Sequence, residues 1–184
     1  MDHKSNEQVT GQTASYGTIS RLLHWGMATL IFLVLVTIEL KDFFPKGPVR
    51  HEVVDWHFQM GFCVLLLIFM RIAWRVRNPP PPIFPPLSGM QARASAIAHF
   101  VLYALMLMMP ILGVLARQSK GHDVDFLGYV LPTFLNEDSG LGHTIKIFHA
   151  YLGNVLIALV ALHVFFAVYH HVIQRDDTLM RMLK

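Results

Sequence analysis

Five histidines lie inside apolar stretches of this 184-residue chain: His24, His57, His99, His149 and His163. An imidazole there can bind a metal, relay a proton or satisfy a hydrogen bond between helices. Polar groups at membrane depth are costly, so several together point to function. Their spacing narrows the choice. His149 and His163 are two heptads apart, which puts them within ~40° of one helix face and ~21 Å apart along the axis. A single zinc or copper ion needs ligands within a few ångströms, as spacings of three or four residues provide. Two ligands on one face at different depths fit two stacked groups instead, each requiring a second ligand from another helix.

The elements that must position these residues follow from composition. The chain is 54% hydrophobic and 15% charged, against about 25% charged for a soluble domain, and its mean hydropathy is +0.46. That is the composition of an integral membrane protein. Four segments, about 20–40, 54–74, 96–116 and 145–172, each approach or exceed the ~20 residues that cross the hydrocarbon. The expected fold is all-α: one membrane domain over 1–184, built as a four-helix transmembrane bundle with a polar tail at 1–17. The first segment is too long for a signal peptide, and no small-x-small cleavage site follows it. Cys63 is the only cysteine, which excludes an intrachain disulfide, an iron–sulfur cluster and a thiolate zinc site.

Four spans place both termini and the 75–95 loop on one side, with nine of the fifteen Lys and Arg residues. Arg71, Arg75 and Arg77 dominate that bias, and the positive-inside rule makes this side cytoplasmic. The opposite face carries six bases and eight acids, a sum of −2. Two connections stand out. "NPPPPIFPPLSG" (78–89) should form a stiff polyproline-type strap. The 118–143 loop is long for a bundle connection, and its apolar centre, "FLGYVLPTFL", reads as a flap over the outer mouth.

Helix direction assigns depth. The first helix starts at the cytoplasm with His24 near its beginning, and the second starts outside with His57 near its beginning. The fourth also starts outside, so His149 is outermost and His163 deeper. The pairs are then His57 with His149, outer, and His24 with His163, inner. Small residues follow each histidine by four positions: Ala28, Gly61, Gly153 and Ala167. They would let a flat porphyrin lie against the helix. Two axial imidazoles per iron describe a six-coordinate b-type haem suited to electron transfer, so two haem b groups are expected. Both would be non-covalent, because no CxxCH motif is present.

His99 lacks a depth-matched partner and is read as a hydrogen-bonding residue near the inner end of the third helix. His170 lies seven residues past His163 on the same face. With His171, Arg71 and Arg75 it would line a quinone pocket, and the same four would serve equally as an interfacial cluster meeting headgroups. Trp25, Trp56 and Trp74 sit near helix ends as interfacial anchors. The run "ALMLMMP" (104–110) reads as packing, with Pro110 kinking its helix.

The order "LLHW" (22–25), "DWHFQMG" (55–61), "AHFVLYALMLMMPILG" (98–113), "FHAYLGN" (148–154) and "LHVFFAVYHHVIQRDDTLMRML" (162–183) resembles the bacterial cytochrome b561 family. The match runs from about residue 16 to the end, and "YHH…DDTLMRM" is its most specific element. The membrane haem subunits of nickel–iron hydrogenases are the nearest confusable group. The resemblance implies haem ligation by His24, His57, His149 and His163. It also implies a multi-pass inner-membrane superoxide oxidase, with superoxide as donor and ubiquinone as acceptor. The alternative is a relay subunit taking electrons from a periplasmic protein. Metal or proton transport is weaker, because no charged residue sits mid-membrane.

Overall fold

A computed structural model of the chain describes residues 15–83 and 85–184. Most of the expected polar tail, and Phe84 of the strap, lie outside the described residues. Four helices are long and apolar enough to cross a membrane: α1 (Thr18–Leu40), α2 (Pro48–Arg77), α3 (Gly89–Gln118) and α4 (Ser139–Tyr169). A 3-10 turn (Lys41–Phe43) extends α1, a π-turn (His170–Gln174) extends α4, and a short α5 (Met180–Leu183) follows.

α2 and α3 are 30 residues each, or ~45 Å at 1.5 Å per residue, and so outreach the ~30 Å hydrocarbon. They run past the expected spans because the sequence stops them only where the backbone must stop. Pro48 opens α2 at a position where its missing N–H costs nothing. The prolines after Asn78 forbid continuation. Ser88 and Gln91 form a reciprocal cap on α3: Gln91 N–H donates to Ser88 Oγ at 3.3 Å, and Ser88 N–H to Gln91 Oε1 at 3.0 Å. α3 runs on through Pro110.

α1 packs along α2, α3 along α4, and α2 against α3. α4 has little close backbone contact with α1 or α2, although its histidines face theirs. The dry core is correspondingly thin: Leu102 and Leu105 of α3 meet Leu156 of α4, with Val64 and Ile68 buried on α2. Phe32, Leu66, Phe69 and Phe165 point outward, as side chains must where the surrounding solvent is lipid.

The segment before α1 and the C-terminal segment meet at one end of the bundle. Tyr16 N–H donates to the Arg181 carbonyl at 3.1 Å. Arg181 is 3% exposed; its guanidinium donates to the Pro81 carbonyl of the strap and stands 5.1 Å over the Tyr16 ring. Two tryptophans expected as interfacial anchors make specific bonds here. Trp25 Nε1–H donates to the Met182 carbonyl and Trp74 Nε1–H to Ser20 Oγ, each at 2.9 Å.

At the opposite end, β1 (Asp125–Phe126) pairs antiparallel with β2 (Tyr129–Val130). Leu127 and Gly128 between them both have positive φ, 51° and 89°, the signature of a two-residue I′ turn. Gln59 grips this hairpin from α2: its Nε2 donates to the Asp125 carbonyl at 2.9 Å and its Oε1 accepts from Leu127 N–H at 3.3 Å. The Phe62 and Phe126 rings lie 4.3 Å apart.

Gly142 lets α4 start against the end of α3. A Cβ there would stand 3.0 Å from Lys120 Cγ, 3.1 Å from Ser119 Cβ and 3.2 Å from the Ser119 carbonyl carbon. Ser119 is fully buried, so it cannot retreat. Gly142→Ala should therefore lower stability by about 1–3 kcal/mol, the usual cost of overpacking, read as an earlier melt in detergent. An unchanged melt would show that the two helix ends part freely.

Candidate functional site

α4 turns one face to the other helices, and the expected histidines lie on it. The rings of His57 (α2) and His149 (α4) have centroids 6.2 Å apart with planes at 77°. Those of His24 (α1) and His163 (α4) are 6.3 Å apart at 64°. A metal about 2.0–2.1 Å from each of two opposed imidazole nitrogens separates the nitrogens by ~4 Å and the ring centres by roughly 6–6.5 Å. Both pairs have that separation.

The donor set also limits what can be held. Among the described residues no group of three or more His, Cys, Asp or Glu side chains could hold a metal ion. Two opposed imidazoles suffice only where the remaining positions are filled by a group that brings its own donors, as a porphyrin does for iron.

A contact behind the ring fixes the tautomer of His57. A carbonyl can only accept, so His57 Nδ1–H donates to the Val34 carbonyl at 3.0 Å, leaving Nε2 with its lone pair. Thr37 Oγ1 donates to the same carbonyl at 2.8 Å. His149 Nδ1 is buried and faces the Met109 carbonyl without reaching hydrogen-bond geometry. Gly113 lies against that ring: a Cβ there would stand in ordinary contact with His149 Cε1 at 3.5 Å. Space for a flat group is present at Gly61, one turn after His57, where a Cβ would meet nothing within 4 Å. Gly153 behaves differently, because Met109 Cε already reaches to 3.5 Å of its Cβ position. That slot is shared with a flexible thioether.

His99 holds a place that depth arithmetic missed. Its ring lies 5.3 Å from that of His163, edge to face, nearer than His24 and too near to bridge a metal. Its Nδ1–H donates to the Ser95 carbonyl one turn back at 2.7 Å. Histidine on the inward face of α3 was the available signal; the rotation of α3 about its axis was not readable.

The four residues expected around a quinone divide into two groups. Arg71 Nε donates to Tyr103 Oη at 2.9 Å and Arg71 Nη2 to His24 Nδ1 at 3.1 Å. Arg75 stands 5.8 Å over the Tyr103 ring. With Ser20, Trp74 and Tyr16 they line a small recess; neither His170 nor His171 lines it. His170 instead binds Asp176, Nδ1 to Oδ2 at 2.5 Å, after Arg175 has turned the chain through a left-handed conformation with φ 55°. Asp176 is buried and also accepts from Thr178 N–H at 2.9 Å. Burial pushes its carboxyl up, but the bonds from His170 and Thr178 outweigh this and hold it below the usual carboxylate range. His171 is exposed.

Comparison with known proteins agrees with this arrangement. The family model described as prokaryotic cytochrome b561 matches residues 15–184. Cytochrome b561 homolog 1 of Escherichia coli (strain K12) is 32% identical over 162 residues, covering 88% of this chain and 92% of that protein. The probable superoxide oxidase CybB of Yersinia pestis is 30% identical over 168 residues, 91% of this chain and 95% of that one. Cytochrome b561 homolog 2 of E. coli is 30% identical over 182 residues, 95% and 94%. With four spanning helices and this similarity over nearly its whole length, the chain belongs to the prokaryotic cytochrome b561 family, as a multi-pass inner-membrane electron-transfer protein of a kind that carries b-type haem.

Proposed function

We propose that this protein is a superoxide:ubiquinone oxidoreductase holding two non-covalent b haems, one between His57 and His149 and one between His24 and His163. The observation that carries the reading is the pair of histidine couples at 6.2 and 6.3 Å, stacked along α4. Haem bound there would supply one-electron carriers, held by His57 and His149 at one centre and by His24 and His163 at the other. The reaction balances as two superoxide anions, one ubiquinone and two protons giving two dioxygen molecules and one ubiquinol. Each superoxide is oxidised by one electron, and the quinone receives two. The name of the Yersinia relative supports the donor.

The chain's residues take complementary parts. Three outer bases are occupied by carboxylates: Lys41 and Arg50 with Asp42 at 2.6 and 2.8 Å, and Arg117 with Asp55 at 2.9 Å. Attraction of an anion to the outer pair is then left to Lys46, Lys120 and Lys146. On the cytoplasmic side Arg71 and Arg75 face a quinone from the recess. His170, held at Nδ1 by Asp176, keeps Nε2 for a quinone carbonyl or its proton, with His171 at the rim.

A relay subunit serving a docked periplasmic protein is the second reading. The hairpin favours it: Leu127 is 72% and Tyr129 78% exposed on a face where acids outnumber bases. Stopped-flow absorbance separates the two. Superoxide should reduce the haems rapidly, superoxide dismutase should abolish that reduction, and added ubiquinone should reoxidise them. Rising ionic strength should slow the first step. Reduction untouched by the dismutase, or none at all, would leave the relay reading as the better one.

A further inference from the structure

We propose that Arg71 sets the reduction potential of the inner centre above that of the outer one, giving electrons a downhill step toward the cytoplasmic side. The inference rests on the assignment of His24 and His163 to one centre and His57 and His149 to the other.

The two couples differ in what stands behind their rings. Behind His57 is the Val34 carbonyl at 3.0 Å, and His149 faces the Met109 carbonyl. Carbonyl oxygens are the negative ends of dipoles; the one accepting from His57 Nδ1–H makes that imidazole a stronger donor and favours oxidised iron. The bases beside His57 are compensated. Lys41 is bound to Asp42 at 2.6 Å, and Arg117, 4.7 Å over the Phe58 ring beside His57, is bound to Asp55.

Behind His24 stands a guanidinium. Arg71 is always charged, and its two contacts, Tyr103 Oη and His24 Nδ1, are both neutral. Among the described residues no carboxylate bond offsets it. Arg75 adds a second positive charge over the same Tyr103 ring. Both lie in partly buried surroundings, where screening by salt is weak. When His24 coordinates through Nε2, its proton sits on Nδ1 and the 3.1 Å contact with Nη2 must relax. Tyr103 Oη still accepts from Arg71 Nε, so the charge stays beside the ring. A positive charge there stabilises the centre when it has gained an electron. Tyr103 is thereby a positioning residue for Arg71, and Arg71 a positioning residue for the inner potential.

Spectroelectrochemical titration of the purified holoprotein tests this, with the inner component identified as the one absent from His163→Ala. In the unaltered protein the inner component should titrate at the higher potential. Arg71→Gln should shift its reduction equilibrium at least tenfold toward the oxidised form, 59 mV for one electron, and barely move the outer component. Arg71→Lys, which keeps the charge, should restore most of the shift, and Tyr103→Phe should fall between. Should Arg71→Gln lose haem, the order of the two potentials in the unaltered protein and the Lys and Phe variants decide. The proposal is overturned if the inner component is the lower one, or if the Arg71 variants move both components equally or neither. A haem-to-protein ratio near one would sink the pairing itself, and the proposal with it.

Discussion

Replacing His57 or His149 with alanine is expected to remove one and the same haem, and replacing His24 or His163 the other. In each case pyridine haemochrome analysis should fall from close to two haems per chain to close to one. The effect should be nearly all-or-none. No thioether holds the haem, because the chain has no CxxCH motif, so loss of one axial imidazole leaves iron with a single protein ligand. His149 and His163 are ~21 Å apart along α4, so damage at one centre should leave the other intact. His99→Ala should keep both haems. Its ring lies 5.3 Å from His163, too near to bridge, and its Nδ1 is committed to the Ser95 carbonyl. If His57→Ala and His163→Ala erased the same spectral component, the depth assignment would be reversed.

The cap formed by Tyr16, the strap and the C-terminal segment should show the second large effect. Arg181 is buried, joins the C-terminal segment to the strap through the Pro81 carbonyl, and covers Tyr16. Arg181→Met keeps much of the volume and removes the donors, which costs about 1.5–3 kcal/mol for each hydrogen bond to a charged group. The strap at 78–89 should become open to proteolysis, and the melt in detergent should move down by several degrees. Asp176 adds a pH dependence. Its folded pKa is depressed, so it stabilises the fold above its unfolded value of about 3.9. That contribution is lost as pH falls through the lower folded value. Asp176→Asn should therefore be less stable at pH 7 and lack the acid-dependent loss that the unaltered protein shows below about pH 4. Equal acid sensitivity in both proteins would place the titrating group elsewhere.

Much of this architecture is readable from residue types alone, for identifiable reasons. Hydropathy marks the four spans because lipid tolerates little else, and alternating helix direction converts position along each span into depth. That logic brings His57 to the side of His149 and His24 to that of His163. What depth cannot supply is rotation about the helix axis. The contact of Arg71 with His24 and the approach of His99 to His163 both depend on it. Helix ends were also legible only in part: α2 and α3 continue past their apolar cores because the first true breakers lie at Gly47–Pro48, at the prolines after Asn78 and at Ser88. The closing "DDTLMRM" carries the family resemblance and has a structural role as well. Its Asp177–Arg181 spacing of four residues was a signal for one more helical turn, and the structure shows Asp176, Asp177 and Arg181 buried within the cap.

α4 contributes one histidine to each couple, and this has a consequence for biogenesis. During membrane insertion the α1–α2 hairpin can form early, with His57 already bonded to the Val34 carbonyl of α1, but at that stage the nascent chain holds only half of each centre. On the proposed assignment each centre is completed only when α4 has entered the bilayer. If the couples hold haem as proposed, neither haem would be retained on the α1–α3 portion alone, and a chain truncated before residue 149 should emerge colourless. On that assignment pigmentation would report insertion of α4.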